Sequence, residues 1–277
     1  MLSNPNRTRM IWITPKFPLG NPDGARHATR ALIEELTQMG VAIDLVCLLP
    51  EGESADSANA QQSLGVTSCT LIRRSGKKYW PLPAVWTPFT FRTFVTSGVR
   101  KSLKRELARL LMAEAPVTKT WIVFDGLHTF GALSHKDLQD LSPQCDGIIY
   151  RAHNVETVLW EQCAEQARTP WQRWFFNYQA ALVRIFERRI AASVSLIAPV
   201  SEDDAVKFRS LAPGSDITVT PIGITFPAEK CTAGSGLIEP REQSGSVIIL
   251  PVIRIERQGD SPSEPTSSSP RGKRRKR

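Results

Sequence analysis

The chain has 277 residues, 41% of them hydrophobic, and a formal net charge of +8. Six of its 35 Lys and Arg residues lie in 271–277, which leaves 29 against 27 Asp and Glu in the remainder. That near-neutral remainder offers no basic groove, so we expect no nucleic-acid partner. The cysteines and the four histidines show no metal-ligand spacing, and we expect neither a metal nor a bound cofactor. Unpaired thiols, together with an apolar run of only Met10–Thr14 near the N-terminus, favour a cytoplasmic location.

Short apolar runs alternate along the chain with segments of helical periodicity. Arg9–Thr14 is predicted as a strand, followed by a loop rich in Pro and Gly and by a helix from Ala25 that ends at Gly40. The next elements predicted, in chain order, are strands at 41–49 and 66–73, a helix at 99–115, and strands at 121–125 and 146–150. A helix that ends at about 167 follows, then a long helix at 171–192. The last predicted elements are a strand at 195–200, a helix at 202–211 and a strand at 217–221. This pattern predicts an α/β fold, a Rossmann-like doubly wound and mostly parallel sheet with helices on both faces.

The composition changes after about Phe226. Residues 227–277 contain one apolar run, at 247–255, and are otherwise Ser, Pro, Gly, Glu and Arg without periodicity. About fifty such residues cannot bury a second core. We therefore predict one Rossmann-like domain over 9–226 and a low-complexity, basic, disordered tail over 227–277.

Ligands of an open parallel sheet bind beyond the carboxyl ends of its strands, so the loops after strands hold the candidate site residues. The loop Pro18–Gly24 opens the first helix, where Gly24 permits an anion such as a diphosphate to approach free backbone N–H groups. The alternative interpretation is a tight turn without a function in binding.

A second polar segment, Arg151–Glu156, follows the apolar strand that ends at Tyr150. His153 in this segment can donate to a sugar hydroxyl or a phosphate, or act as a base, because imidazole titrates near neutral pH. The alternative is that His153 bonds a carbonyl or caps the next helix, with Asn154 as N-cap and Glu156 in the first turn.

A third candidate, Ser201, precedes three acidic residues and a helical run. The spacing predicts Ser201 as the N-cap of the helix 202–211, with Asp204 as the third helical residue in an imperfect capping box. The same hydroxyl could also face the cleft.

The order of these loops resembles the N-terminal domain of GT-B-fold glycosyltransferases, in particular the retaining, family-four-like group. The matching segments are Arg9–Arg26, Tyr150–Glu156, Pro199–Ser201 and Thr220–Ile224. The resemblance implies metal-free transfer of a sugar from a nucleotide sugar, as co-substrate, to a glycan or lipid-linked acceptor in polysaccharide or glycolipid biosynthesis. It also implies roles for individual residues: Gly24 near the donor diphosphate, His153 near the transferred sugar as the catalytic residue, and Arg26, Asn154, Glu156 and Ser201 as substrate contacts.

The sequence also departs from the family pattern. Asp23 stands beside Gly24 where the family often has two glycines, and Thr225 follows Ile224 where an acidic or amide residue is usual. The family's C-terminal donor domain carries two glutamates separated by seven residues. Glu256 and Glu264 have that spacing but lie in a Pro- and Ser-rich segment, and we do not assign them. We therefore expect an acceptor-side half that is truncated and inactive alone, with a tail produced by a shifted reading frame or simply solvated.

Two other functions remain open at this stage. One is a non-catalytic acceptor-binding module that pairs in trans with a separate donor domain. The other is an unrelated nucleotide-binding Rossmann protein, although the chain lacks the ordered GxGxxG that such proteins carry.

Segment 73–109 mixes Lys and Arg with aromatic residues. One interpretation is a surface that makes peripheral contact with an anionic bilayer at the inner membrane face and admits a lipid-linked acceptor. The other is that the aromatic rings fill the core and the bases form a solvated helix face.

Overall fold

The computed structural model describes residues 8–20, 23–74, 87–113 and 119–221. It also gives the backbone of two short strands, Gly223–Ile224 and Ile248–Ile249, which pair antiparallel. The remainder of 227–277, for which we predict disorder, lies outside the described residues, and so do Thr225, Glu256 and Glu264.

Six strands form one sheet in which every pairing is parallel. They are β1 (Thr8–Thr14), β2 (Ala42–Leu49), β3 (Ser68–Arg73), β4 (Lys119–Asp125), β5 (Gly147–Ala152) and β6 (Leu196–Pro199). Their spatial order is β3-β2-β1-β4-β5-β6, which reverses direction between β1 and β4. This is the strand order of a doubly wound Rossmann-like sheet, and it confirms the predicted fold class.

Seven helices connect the strands within the described residues: α1 (Gly24–Gln38), α2 (Ser57–Leu64), α3 (Ser97–Met112), α4 (His135–Leu141), α5 (Glu156–Glu165), α6 (Pro170–Ala191) and α7 (Glu202–Leu211). In the same described ranges there are three short 3-10 turns, at Phe89–Phe91, Leu127–Ala132 and Ser142–Gln144. The five helices and six of the seven strands predicted from the sequence are confirmed, with shifts of a few residues at their ends.

Each face of the sheet has its own hydrophobic core. In β1, Ile11 and Ile13 join the core that includes Leu103 of α3, whereas Trp12 between them joins the core on the opposite face. The second core includes Ile33 of α1. Because successive strand residues point to opposite faces and both faces are covered, the strands are continuous apolar runs instead of alternating ones.

Two helices, α2 and α4, were not predicted from the sequence. Helix α2 is polar, but Asp56 caps its first N–H groups and Gly65 ends it at a φ of 66°. Helix α4 begins with a reciprocal capping box between Ser134 and Asp137. Both helices are short, so their capping residues carry more signal than their hydrophobic periodicity.

The predicted strand at 217–221 is wrong as a regular element. Ile217 forms an isolated parallel bridge with Ile197 of β6. Thr218 and Thr220 donate their backbone N–H groups to the carbonyls of Ile197 and Pro199. The segment therefore runs along β6 in an extended form, but its pairing is too irregular for a strand.

Gly147 at the start of β5 provides a test of how tightly side chains pack against the sheet. A Cβ at this position would overlap the Trp121 ring and lie 2.9 Å from Ser195 Oγ. We expect Gly147→Ala to lower the free energy of unfolding by about 1–3 kcal/mol, because neither neighbour can yield without disturbing the sheet. Urea denaturation measures this value.

Gly98 in the first turn of α3 is the matched control, since a Cβ there meets no atom within 4 Å. Gly98→Ala should leave the stability unchanged or raise it by up to about 1 kcal/mol. Equal stabilities of the two alanine variants would contradict the packing described for Gly147.

Candidate functional site

A buried carboxylate at the carboxyl end of β4 organises the candidate site. The side chain of Asp125 is 1% exposed. Its Oδ1 lies 2.6 Å from Arg151 Nη1 and 2.7 Å from His153 Nε2, both from the end of β5 or just beyond it. Its Oδ2 accepts from Thr29 Oγ1 of α1 at 2.6 Å and from Trp12 Nε1 of β1 at 3.4 Å. These contacts lie at the point where the strand order reverses, which is where doubly wound sheets bind ligands.

Asp125 is ionised at neutral pH. Burial by itself would raise the pKa of this carboxyl, but the positive charge of Arg151 and the hydrogen bonds from His153 and Thr29 hold the pKa far below its usual range. The site thus contains a fixed negative charge, which the neighbouring side chains must balance with positive charge or hydrogen-bond donors.

The ionised carboxylate fixes the tautomer of His153. A carboxylate only accepts hydrogen bonds, so Nε2 carries the proton and donates it to Asp125 Oδ1. The 3.0 Å contact between Nε2 and Arg151 Nη1 is then a close approach of two donors that share one acceptor. Nδ1 has no hydrogen-bond partner among the described residues, and in the neutral form of the ring it keeps its lone pair. It can accept a proton or a hydrogen bond from a hydroxyl group.

Gly126 lies between two imidazole rings. Its φ of 89° requires glycine, and an added Cβ would lie 3.8 Å from His153 Cδ2 and 4.0 Å from His128 Nδ1. Burial, with smaller contributions from the positive charges of Arg74 and Lys16, lowers the pKa of His128 to about 4. His128 is therefore neutral at pH 7 and places an uncharged imidazole beside the site.

Glu187 of α6 stabilises the start of α5 from outside that helix. Its buried carboxylate accepts from the backbone N–H groups of Glu156 and Thr157 at 3.0 and 3.1 Å, and from Thr157 Oγ1 at 2.6 Å. The residue at the N-cap position is Val155, whose side chain makes no capping bond. The alternative of Asn154 as N-cap is therefore wrong, and the cap comes from a distant helix.

The side chain of Glu156 lies opposite His128. Its Oε2 is 4.0 Å from His128 Nε2, and its side chain is 14% exposed. Burial raises the pKa of Glu156 to about 7, with a further contribution from the negative charge of Glu187. This carboxyl is thus poised between its neutral and charged forms at physiological pH.

The start of α1 forms the other side of the site. Gly24 is the first helical residue, and a Cβ there would meet no atom within 4 Å. Its neighbour Asp23 caps the helix by accepting from Arg26 N, and Lys16 Nζ lies 2.7 Å from the same carboxylate. The Arg26 guanidinium contacts Glu53 at 2.6 Å and Asp23 at 3.5 Å. No side chain therefore fills the space at Gly24, whereas the Arg26 guanidinium already forms ion pairs with Glu53 and Asp23.

Ser201 and Asn154 lie at the same edge of the sheet. Ser201 caps α7 as predicted: its Oγ accepts from Asp204 N at 3.2 Å and donates to Asp204 Oδ2 at 3.0 Å. Asn154 is exposed beside His153. The substrate roles that the resemblance implies for Ser201, Asn154, Arg26 and Glu156, like those of Gly24 and His153, remain predictions.

Sequence reasoning missed the residues that hold His153 in place. Asp125 ends the apolar strand Trp121–Phe124, and Arg151 ends the apolar strand β5 in the same way. A charged residue at the carboxyl end of a buried strand is a usable signal, because burying a charge is costly unless a partner matches it. The sequence gives no comparable signal for Thr29, which is one of several polar residues on α1.

In the described part of 73–109, two of the three aromatic rings fill the core, and the third, Phe89, is 52% exposed. Phe91 and Phe94 are buried in the core on the α3 face of the sheet. Arg100 and Lys104 form ion pairs with Asp137, at 2.7 and 2.6 Å. Residues 75–86 lie outside the described part of the chain.

Two negative findings apply to the described residues alone. None of the helices there is both long enough and apolar enough to cross a bilayer. No group of three or more His, Cys, Asp or Glu side chains is arranged to hold a metal ion.

Comparison with solved structures finds GT-B glycosyltransferases. The Medicago truncatula enzyme UGT71G1 complexed with UDP-glucose is 13% identical, with a TM-score of 0.46, and the match covers 81% of this chain and 54% of that one. A sucrose-phosphate synthase from Thermosynechococcus elongatus is 11% identical, with a TM-score of 0.43 and coverages of 78% and 89%. A UDP-glucosyltransferase from Polygonum tinctorium capable of glucosylating indoxyl is 11% identical, with a TM-score of 0.42 and coverages of 84% and 55%.

The chain therefore spans about half the length of the Medicago truncatula and Polygonum tinctorium enzymes that it matches. No protein-family model and no curated protein matches the sequence.

The buried carboxylate gives a direct test of the site's architecture. Asp125→Asn leaves the Arg151 guanidinium buried without a charge partner, and we expect it to lower the free energy of unfolding by about 3–5 kcal/mol. Thr29→Val is the control, because it removes one neutral donor and should cost about 1 kcal/mol. Urea denaturation at pH 7 measures both, and similar values for the two variants would contradict the central role of Asp125.

Glu156 gives a pH-dependent test. Its pKa of about 7 in the folded state lies above the value of about 4.3 of an unfolded chain, so the folded protein binds more protons between these values. The contribution of Glu156 to stability is therefore complete below about pH 4.3 and is lost as the pH rises through about 7. His128 titrates with the opposite sign in part of this window, since its folded pKa is lowered.

The measurement is therefore the difference in free energy of unfolding between the wild type and Glu156→Gln, because His128 is common to both. That difference should decrease steadily as the pH is raised from about 5 to about 7.5. A difference that is constant over this range would show that Glu156 has an ordinary pKa.

Proposed function

We propose that the chain supplies the acceptor-side half of a glycosyltransferase, which moves a sugar from a nucleotide sugar to a glycan or lipid-linked acceptor in polysaccharide or glycolipid biosynthesis. The observation that carries the proposal is the pair of Asp125 and His153, with Nε2 held at 2.7 Å and Nδ1 available to a ligand. This pair lies beside the start of α1 at the ligand-binding edge of the sheet. The ordered motifs that resemble the family-four-like group support the same function.

The proposed chemistry uses the two ends of the imidazole separately. The acceptor oxygen forms a bond to the anomeric carbon of the sugar while the bond from that carbon to the diphosphate breaks, and the nucleoside diphosphate leaves. His153 Nδ1 either takes the proton of the acceptor hydroxyl or holds a hydroxyl of the transferred sugar. In the first case the charge that develops on the ring is stabilised by Asp125. Free N–H groups at Gly24 hold the diphosphate in this scheme.

Transfer requires a second half that binds the donor nucleotide and closes the cleft. Positioning the two substrates and stabilising the leaving diphosphate supply most of the rate, and both depend on groups from two sides. We propose that the change in composition near Phe226 marks where such a half is interrupted or replaced. The described unit then acts on the cytoplasmic side as a platform for the acceptor.

Titration with nucleotides tests the proposal on the chain as it exists. Adding UDP-glucose or GDP-mannose should shift the NMR signals of His153 and Gly24, with a dissociation constant in the millimolar range because the described residues supply only one side of the proposed cleft. The His153→Asn variant should lose the shift at Gly24 at the same concentrations, whereas His135→Asn, an exposed histidine of α4, should keep it. Unchanged signals at both residues would contradict the proposal.

Two further outcomes distinguish the alternatives. Shifts caused by NAD or ATP but not by a nucleotide sugar would identify an unrelated nucleotide-binding Rossmann protein. A stoichiometric donor-domain partner that co-purifies from the native source would identify a module that acts in trans.

A further inference from the structure

Helix α6 exposes a line of apolar side chains that the candidate site does not use. Trp171 is 71% exposed, Trp174 56% and Ile185 50%, and Tyr178 lies between them on the same face. Their spacings of three, four and seven residues place all four on one side of an α-helix. We call these four residues the α6 stripe. Large apolar side chains scattered singly over a surface need no explanation, but a continuous line of them does.

The rings of the α6 stripe stack on one another. Trp171 and Trp174 are 4.9 Å apart at an angle of 18°, and Trp174 and Tyr178 are 5.8 Å apart at 5°. The central ring therefore lies between two others, which leaves its edge to the surroundings instead of its faces. A sugar ring that stacks on an aromatic side chain needs a free aromatic face, so it cannot stack on Trp174 at the centre of these three rings. Aromatic edges beside an aliphatic side chain suit the interface between water and lipid.

The exposed charges of α6 itself are all positive. Four exposed arginines, Arg173, Arg184, Arg188 and Arg189, share the helix with the α6 stripe. The one acidic residue of α6, Glu187, is buried and bonds the start of α5. Arg184 pairs with Glu161 of α5, and the described helix has no exposed carboxylate of its own. Apolar rings flanked by bases complement an anionic surface with an apolar interior.

Neighbouring elements extend the apolar surface. Helix α6 packs mostly along α5, and the turn Phe89–Phe91 contacts the middle of α6. Phe89 N donates to Gln179 Oε1 at 2.7 Å, and the ring of Phe91 lies 4.4 Å from that of Phe186. The ring of Phe89 itself is 52% exposed. The α6 stripe therefore lies on the packed pair of helices α5 and α6, and α5 begins close to His153.

We propose that the α6 stripe binds the protein to an anionic phospholipid bilayer. The aromatic rings of the stripe lie at the level of the headgroups, and the neighbouring arginines of α6 contact the lipid phosphates. This surface is centred on α6 and differs from the one that the sequence indicates at 73–109, where Phe91 and Phe94 are buried and Phe89 alone of these three rings is exposed. The proposal does not depend on sugar transfer, because lipid binding requires neither donor nor acceptor.

Flotation with lipid vesicles tests this proposal. The full chain should float with vesicles that mix phosphatidylcholine and phosphatidylglycerol, and much less with vesicles of phosphatidylcholine alone. Added salt should weaken the binding, because the arginine contribution is screened. Replacing Trp171 and Trp174 together by Ala should weaken the binding to mixed vesicles by at least about tenfold. Replacing Arg188 and Arg189 together by Gln should weaken it by roughly fivefold per base.

Matched control variants remove apolar or basic side chains from other surfaces of the protein. Met39 and Met112 are exposed apolar side chains on other helices, at 76% and 84%, and their joint replacement by Ala should leave flotation unchanged. Lys101→Gln with Arg105→Gln removes two bases from α3 and should have a small effect. Circular dichroism and thermal unfolding establish that each variant is folded. Quenching of tryptophan fluorescence by brominated lipid should fall in the Trp171→Ala/Trp174→Ala variant.

Several results would overturn the proposal. One is the absence of salt-dependent binding to anionic vesicles, and another is binding that the α3 variant abolishes and the stripe variants do not. A dimer in light scattering that Trp171→Ala/Trp174→Ala converts to monomer, without vesicle binding, would assign the stripe to a second copy of the chain. Saturable binding of a neutral oligosaccharide through Trp171, again without vesicle binding, would assign it to a glycan.

Discussion

The buried charge of Asp125 is the constraint on which the rest of the site depends. A carboxylate that is 1% exposed requires matched partners, and the fold supplies them from three other elements. Trp12 comes from β1, Thr29 from α1, and Arg151 and His153 from β5 or the loop after it. Arg151 and His153 lie beside Asp125 because the parallel strands β4 and β5 end at the same edge of the sheet, whereas Trp12 reaches it from within β1 and Thr29 from α1. The same interaction therefore joins the strands at the reversal point and sets the orientation of the imidazole.

Around this charge the cleft contains groups whose protonation is shifted in different directions. Asp125 is fixed in its ionised form, and burial with nearby positive charges keeps His128 neutral by lowering its pKa to about 4. Glu156, with a pKa of about 7, is close to half protonated at physiological pH. Sites that handle protons and hydroxyl groups commonly separate their titratable groups in this way.

The sequence predicts the sheet well and the details of the site poorly, for physical reasons. Apolar strands and amphipathic helices leave periodic patterns, so β1 to β6 and the long α6 are predictable. Helices α2 and α4 depend on capping by Asp56 and Ser134 more than on periodicity, and they were missed. His153 is recognisable from its loop, but its contact with Asp125 spans 28 residues of sequence and forms only when β4 and β5 pair. The cap that Glu187 gives α5 is equally non-local and has no local signature.

The central claim is that Asp125 holds His153 in one tautomer with Nδ1 available to a ligand. A two-bond ¹H–¹⁵N correlation spectrum of the histidine rings at neutral pH measures the tautomer directly. The account predicts that His153 carries its proton on Nε2, that this proton resonates downfield as a hydrogen-bonded one, and that Nδ1 has the shift of an unprotonated nitrogen. A spectrum in which His153 carries its proton on Nδ1, or exchanges freely between the two forms, would contradict it.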